Sequence, residues 1–433
     1  MKDRIGTVAA ISIGVGGMIG AGIFSILGVV AQVSGAALPL SFIIGGLVAL
    51  LAGYSYTKLG QRFPSVGGAV QFLVEGLGDG VASGGLNIFQ YLAYVIAIAL
   101  YARGFSGYAL TFLPGHVPNW LGQAFAIGIV LVFTGVNFLG AADTGKAETI
   151  IVVVKVTILV FFMTTALLFV EPSRLAVSHW PAGGDVLFGA GVLFIGYEGF
   201  GLVTNAAGDM ADPKRQLPWA LFGAIAIVIV IYVGVAIGVI GNLPIPQLIR
   251  ARDYALAAAA RPFLGEFGFK LIAFAALLST SSAVNATLFG AANISYQIAK
   301  DGQLPASFTQ RLWDRNIEGL FITTALVIML VLSFDLGAIA MMGSAAFLLV
   351  YAAVDVAHLR ILKKTGARPW LVWLSLLACG ATFVYLTIYI SERTPPATLA
   401  TLSGALVLSF AVEWAYRARS GRHFGSPIPR RSR

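Results

Sequence analysis

Four ionisable residues interrupt long apolar runs in this chain: Arg103, Lys155, Glu198 and Asp355. An ionisable group at bilayer depth is a functional candidate by default, because its lost hydration must be replaced by protein groups. Lys155 sits in Ile150-Ile-Val-Val-Val-Lys-Val-Thr-Ile-Leu159, with apolar residues on both sides and too deep to snorkel to an interface. Dehydration disfavours the ammonium form, so a lysine there can exchange a proton in the physiological range. Glu198 lies in Phe194-Ile-Gly-Tyr-Glu-Gly-Phe-Gly201, where a carboxylate stands among three glycines. Three roles fit it: proton site, counter-ion to a cationic ligand, or hydrogen-bonded structural acid. A Lys155–Glu198 pair, in which neither group titrates alone, is a further reading. Asp355, close to His358 and Arg360, reads as a solvated or salt-bridged residue, and Arg103, beside Gly104, as a structural counter-ion.

The elements that hold these groups are marked by glycine. The run Ile13-Gly-Val-Gly-Gly-Met-Ile-Gly-Ala-Gly-Ile-Phe24 carries five glycines in nine residues, and no charged residue lies between Arg4 and Lys58. A helix broken inside hydrocarbon is tolerated only where protein or a water-filled cavity receives the freed N–H and C=O groups. Broken helices of this kind are where secondary transporters bind their cargo, and matching breaks in two halves point to an inverted repeat. The second cluster, around Gly196, Gly199 and Gly201, opens the second half in the same way. Close helix packing is the plainer use of a single glycine. The first cluster is no dinucleotide loop, since position 19 of the GxGxxG frame is Ile and no strand precedes it.

Of 433 residues, 58% are hydrophobic and 11% charged, against about 25% charged in soluble domains. Alternating ten-residue segments of a β-barrel are absent. The composition therefore predicts an all-α integral membrane protein with twelve transmembrane helices at about 7–32, 37–58, 82–112, 119–140, 147–170, 185–208, 217–241, 266–299, 317–334, 337–358, 369–390 and 395–416. The apolar N-terminal run is too long for a signal peptide. Twenty of the 28 lysines and arginines fall on the side of the two termini and six on the other, with Arg103 and Lys155 inside spans. That bias puts both termini in the cytoplasm. It also assigns the net charge of +9 to loops and a basic tail facing anionic lipid rather than nucleic acid. The four histidines are scattered without metal-ligand spacing, none lies at bilayer depth to activate a serine, and Cys379 stands alone. An enzyme, a cofactor and a metal are therefore not expected.

Several blocks carry a likeness to a known family: Gly20-Ala-Gly-Ile-Phe24; Phe63-Pro-Ser-Val-Gly-Gly68; Phe194 to Asn205 followed by Asp212-Pro-Lys-Arg-Gln-Leu-Pro218; and Ser281-Ser-Ala-Val-Asn-Ala-Thr287 running into Ala299-Lys-Asp-Gly-Gln-Leu-Pro305. In these the chain resembles the amino acid–polyamine–organocation superfamily, most nearly its prokaryotic proton-coupled amino acid transporters. The resemblance implies a 5+5 inverted repeat with helices 1 and 6 unwound and two accessory helices. It divides a single membrane domain, 1–433, into 1–170, 171–360, 361–416 and a basic cytoplasmic tail, 417–433. It further implies a central amino-acid site, alternating access and a multi-pass place in the cell membrane.

An amino acid's carboxylate needs donors without a buried cation, and the start of a half-helix supplies them. Gly20, Ala21 and Gly22 are placed for that role. Carbonyls freed near Gly16, Gly17, Phe194, Ile195 and Tyr197 would accept from the ammonium, and Phe194 resembles an aromatic gate. Tyr91, Tyr94 and Tyr101 are further aromatic candidates in the third span. By resemblance, Lys155 takes the place of a sodium ion beside Gly16 and the Ser281-Ser282 pair, and Glu198 stands where exchangers of cationic amino acids carry a glutamate. The expectation is proton-coupled amino acid uptake, with H+ as the coupling ion, by a monomer or homodimer. The alternatives are an amino acid/amine exchanger or polyamine permease, and, from a different class, a non-transporting nutrient sensor or partner subunit.

Overall fold

With no water in hydrocarbon, each uncharged run must satisfy its own backbone, and helices do so within one segment. The computed structural model describes residues 5–20, 22–65, 67–115, 117–139, 144–300, 311–312 and 315–420. Its helices are α1 Thr7–Met18, α2 Gly22–Ser34, α3 Leu38–Arg62, α4 Ala69–Leu77, α5 Val81–Leu110, α6 Asn119–Leu139, α7 Thr144–Leu168, α8 Gly183–Leu193, α9 Gly201–Asn205, α10 Pro213–Asn242, α11 Ile245–Arg250, α12 Ala255–Lys300, α13 Ile317–Ser333, α14 Leu336–Arg360, α15 Leu362–Thr365, α16 Pro369–Arg393 and α17 Pro396–Ser420. Ten stretches among the described residues are long and apolar enough to cross a membrane, and α1 and Gly319–Ser333 are shorter apolar helices. A two-residue ladder, Arg311–Leu312 with Arg315–Asn316, is the only sheet described.

Helix ends follow local chemistry. Proline opens α3, α10, α16 and α17, where its missing N–H costs no intrahelical bond. Asp335 caps α14 by accepting from Ala338 N at 2.8 Å. The long α12 bends at Gly265, whose φ of 62° suits only glycine, three residues after Pro262.

Glycine rows then set which helices touch. A Cβ on Gly46, Gly53 or Gly60 of α3 would strike Ile229, Leu221 or Leu217 of α10 at 2.5–2.7 Å. On the other side of α10, Gly234 and Gly238 receive Met163 and Ala166 of α7, while Gly241 receives Val170 just beyond that helix. Such small-residue faces drive helix association where no hydrophobic effect operates. Ile150, Val153 and Leu168 of α7 point outward, as lipid-facing residues do. Trp120, Trp219, Trp370, Trp373 and Trp414 are exposed close to the ends of their helices, where indole rings sit at headgroup level.

The C-terminal helix corrects one expectation. α17 continues through Ser420, so Arg417 does not begin a free basic tail. Its guanidinium, 1% exposed, is buried against Asp79 and Glu413 and ties α17 to the start of α5. Residues 421–433 lie outside the described residues. Breaking a buried pair strands the remaining charges, at a cost of about 3 kcal/mol or more. Arg417→Ala is therefore expected to lower the thermal unfolding midpoint in detergent sharply, whereas Arg419→Ala, at an exposed position on the same turn, should leave it unchanged.

Candidate functional site

The first apolar run is not one helix. α1 stops at Met18 and α2 starts at Gly22. The run around Glu198 breaks likewise: α8 ends at Leu193, single 3₁₀ turns cover Phe194–Gly196 and Glu198–Phe200, and α9 starts at Gly201. The two breaks cross in contact. A Cβ on Gly199 would come within 2.3 Å of the Gly17 carbonyl carbon, and one on Gly22 within 2.7 Å of Gly196 Cα. Glycine is required here by proximity of backbone to backbone, not by unusual dihedral angles.

Side chains from three neighbouring helices satisfy the freed carbonyls. The Tyr232 hydroxyl of α10 lies 2.6 Å from Met18 O and 3.2 Å from Gly196 O, bridging both breaks. Ser279 of α12 donates to Gly20 O at 2.6 Å, with Ile19 O at 3.1 Å. On the second break, Ser344 of α14 accepts from Ile195 N at 3.0 Å and donates to Val192 O at 2.6 Å. Tyr351, two turns further along α14, donates to Glu198 O at 2.8 Å. The carbonyls of Phe194 and Tyr197, expected to be free, accept from Tyr197 N and Phe200 N and close the 3₁₀ turns. Tyr197 itself turns away from the crossing and donates to Phe42 O at 2.9 Å. Gly20 and Gly22 flank the start of α2, whose positive end faces the crossing; Ala21 lies outside the described residues.

Lys155 reaches the first break from α7. Its ammonium, 1% exposed, donates to Gly16 O at 2.9 Å, and Val152 fills the space that a Cβ on Gly16 would need. The hydroxyl pair expected beside it is arranged differently. Ser282 donates to the Glu148 carboxylate, 2.6 Å from each oxygen, and the half-buried Ser281 lies one residue before it on α12. The hydroxyl on the break belongs to Ser279, one helical turn before Ser282. Glu148 stands two turns before Lys155 on α7, so both face the same side.

Glu198 is buried, and one carboxylate oxygen accepts from the Tyr101 hydroxyl at 3.2 Å. It does not pair with Lys155, whose ammonium is on Gly16. Tyr91 bonds instead to Thr323 at 2.7 Å, and Tyr94 packs edge-on against Phe347. Phe194 is fully buried, edge-on to Tyr351 with ring centroids 5.5 Å apart. Tyr351, Phe200 and Tyr56 form a mutual aromatic cluster with centroids 5.0–5.4 Å apart. On that side of the crossing a cavity of about 10 Å³ opens between Tyr56, Gln90, Tyr94, Asn205 and Tyr351.

Asp355 departs from its expectation. It is 1% exposed and makes no ion pair among the described residues; the hydroxyls of Ser55 on α3 and Ser375 on α16 donate to its two oxygens, the latter at 2.6 Å. Arg103 donates to Phe334 O at 2.7 Å, closing the end of α13. Sequence reasoning missed Tyr232, Ser279, Ser344, Tyr351 and Glu148. Their one visible signal is a hydroxyl or carboxyl within an otherwise apolar segment.

The model of the amino acid permease family matches residues 5–412. The chain is 41% identical over 421 residues to an uncharacterised protein of Methanocaldococcus jannaschii, covering 96% of each chain. It is 34% identical over 413 residues to the inner membrane transport protein YbaT of Escherichia coli, covering 94% of this chain and 95% of that one. It is also 26% identical over 327 residues to the branched-chain amino acid permease BcaP of Bacillus subtilis, covering 72% and 70%. The broken-helix crossing is thus part of a multi-pass membrane transport protein, not of an enzyme. The chain belongs to the amino acid permease family, within the amino acid–polyamine–organocation superfamily.

The crossing itself is testable. Gly199→Ala, which forces backbone apart at the crossing, is expected to reduce amino acid binding at least ~10-fold, which is about 1.4 kcal/mol. Gly128→Ala, in open space on α6, should bind as the unaltered protein does in the same equilibrium assay.

Proposed function

We propose that this protein carries amino acids into the cytoplasm by alternating access, driven by proton entry through Lys155. The reading counts twelve spans: α1–α2 and α8–α9 as broken first and sixth helices, two inversely oriented units of five, and α16 and α17 as accessories. Both termini are taken as cytoplasmic, as the lysine and arginine bias requires. In this scheme the substrate carboxylate sits at the start of α2 and its ammonium faces carbonyls of the two breaks.

One observation carries the proposal: the Lys155 ammonium donates to the Gly16 carbonyl inside the first break. A charged lysine there does the work of a bound cation, holding α7 against α1 at the point where the backbone has no helical partner. Loss of the proton removes the charge and weakens the bond, since hydrogen bonds to charged groups are about twice as strong as neutral ones. The first broken helix is then free to move relative to α7. Binding and release of one proton thereby bias two positions of the same element, which is what coupling requires. The Glu148 carboxylate, two turns before Lys155 on the same side of α7, is held by Ser282.

A zwitterionic, apolar amino acid is the preferred substrate, in keeping with the branched-chain substrates in the name of the Bacillus subtilis relative. One observation favours a second reading. Glu198 is a buried carboxylate at the second break that accepts from a tyrosine hydroxyl and, among the described residues, faces no cation within ion-pair distance, which suits a cationic substrate or amine in an exchanger.

Uptake of labelled amino acids into proteoliposomes separates the two. Proton coupling through Lys155 predicts accumulation at least ~10-fold above equilibrium under an inward proton gradient. It also predicts that this is lost in Lys155→Ala while equilibrium binding is retained. Gradient-independent uptake that requires amino acid or amine inside would replace this reading with exchange centred on Glu198.

A further inference from the structure

Of the six lysines and arginines on the side away from the termini, four fall between positions 250 and 270: Arg250, Arg252, Arg261 and Lys270. Loops on that side ordinarily carry few positive charges, so a cluster there calls for a partner. Arg252 has its own, Asp253 at 3.4 Å and Asp335 at 3.8 Å. Arg250 has no carboxylate within ion-pair distance among the described residues. It lines a cavity of about 350 Å³ between the end of α10, α11 and the start of α12. Gln247, Tyr254 and Arg261 line the same cavity, with Leu243 and Ala258 as apolar wall. Among the described residues the side chains of Gln247, Arg250 and Tyr254 make no hydrogen bond. Arg261 gives Nε and one terminal nitrogen to Glu266, at 3.0 and 3.3 Å, and lies over the Phe269 ring at 4.1 Å. Its other terminal nitrogen has no acceptor among the described residues. Four side chains thus bring unused donors to one cavity.

We propose that this cavity binds the phosphate of an anionic phospholipid. The leaflet is the outer one if the termini are cytoplasmic, as read above. Arginine suits the ligand, because its planar fork donates to two phosphate oxygens at once. The depth suits a headgroup: α10 ends at Asn242 and α12 begins at Ala255, so the cavity lies at the ends of membrane-spanning stretches. Apolar surface for acyl chains adjoins it. Phe263, next to Pro262 of the cavity wall, stacks on Phe169 with centroids 6.0 Å apart, and Phe169 and Phe267 are exposed. A free phosphate would use the arginines and leave that surface unused. The bound headgroup would brace a segment that lies on the first broken helix. α11 and the 3₁₀ turn Arg252–Tyr254 pack on α2, anchored by the fully buried Leu248. Gly28 of α2 leaves room only for the Arg252 carbonyl, and a Cβ on Gly107 of α5 would meet Asp253 O at 2.8 Å.

Native mass spectrometry of the delipidated full-length protein, titrated with dioleoyl phosphatidylglycerol, tests this. Arg250→Gln is expected to weaken lipid binding about 10-fold, as loss of a charged hydrogen bond does. Arg250→Lys should recover part of that loss, and Ala258→Phe, which fills the cavity without touching a charge, should reproduce it. Arg174→Gln, on the same side but paired with Glu171, should bind as the unaltered protein does. Dioleoyl phosphatidylcholine, whose ammonium opposes Arg250, should bind more weakly and equally to the unaltered protein and Arg250→Gln. Phosphatidylglycerol should also raise the thermal unfolding midpoint in detergent of the unaltered protein and not of Arg250→Gln. Equal phosphatidylglycerol binding by the unaltered protein, Arg250→Gln and Ala258→Phe would overturn the site. Displacement of the lipid by sodium phosphate at equal concentration would overturn the lipid as its occupant and leave a site for a soluble anion.

Discussion

Everything in this structure depends on satisfying backbone polar groups at bilayer depth. Two helices are interrupted where they cross, and each carbonyl left without a helical donor would cost several kcal/mol in hydrocarbon. The chain answers with hydroxyls and one ammonium from outside the broken elements: Tyr232 from α10, Ser279 from α12, Ser344 and Tyr351 from α14, and Lys155 from α7. Those four helices are consequently bound to the breaks by hydrogen bonds, one from Lys155 on α7 and as many as three from α14. A carbonyl that loses such a donor stays satisfied only if a ligand or a water takes the donor's place, so movement at the crossing must exchange partners rather than lose them.

The buried charges follow the same rule. Lys155, Glu198 and Asp355 each lie out of water, and each is held by a neutral partner rather than by an opposite charge: a carbonyl, a tyrosine hydroxyl and two serine hydroxyls. The hydroxyls donate to the carboxylates and the ammonium donates to the carbonyl, so each group is satisfied by dipoles in place of water. Arg417 with Asp79 and Glu413 is the contrast. Full opposite charges meet there, far along the chain from the crossing, and their work is to fasten α17 to α5.

Much of this was legible in the residues. The two glycine clusters, read together with the absence of charge around them, located both breaks, and Lys155 stood out against its apolar neighbours. What escaped was rotational. Residues 279–282 are four hydroxyl-bearing residues in a row, and only the phase of α12 decides that Ser279 meets the break while Ser282 meets Glu148. Asp355 was misread because burial depends on what covers a helix face. α14 runs on to Arg360, and α3 and α16 close over Asp355 with Ser55 and Ser375, residues 300 and 20 positions away. Arg417 was misread for the same reason: a basic run near a terminus gives no sign that one member turns inward.

The claim at the centre of this account is that the proton held on Lys155 moves with the substrate. It is tested most directly by recording internal pH in proteoliposomes, with a trapped fluorescent indicator, when leucine is added outside at symmetric pH. The account predicts internal acidification that tracks leucine entry and disappears in Lys155→Ala. Leucine entry without acidification in the unaltered protein, or equal acidification in the variant, would contradict it.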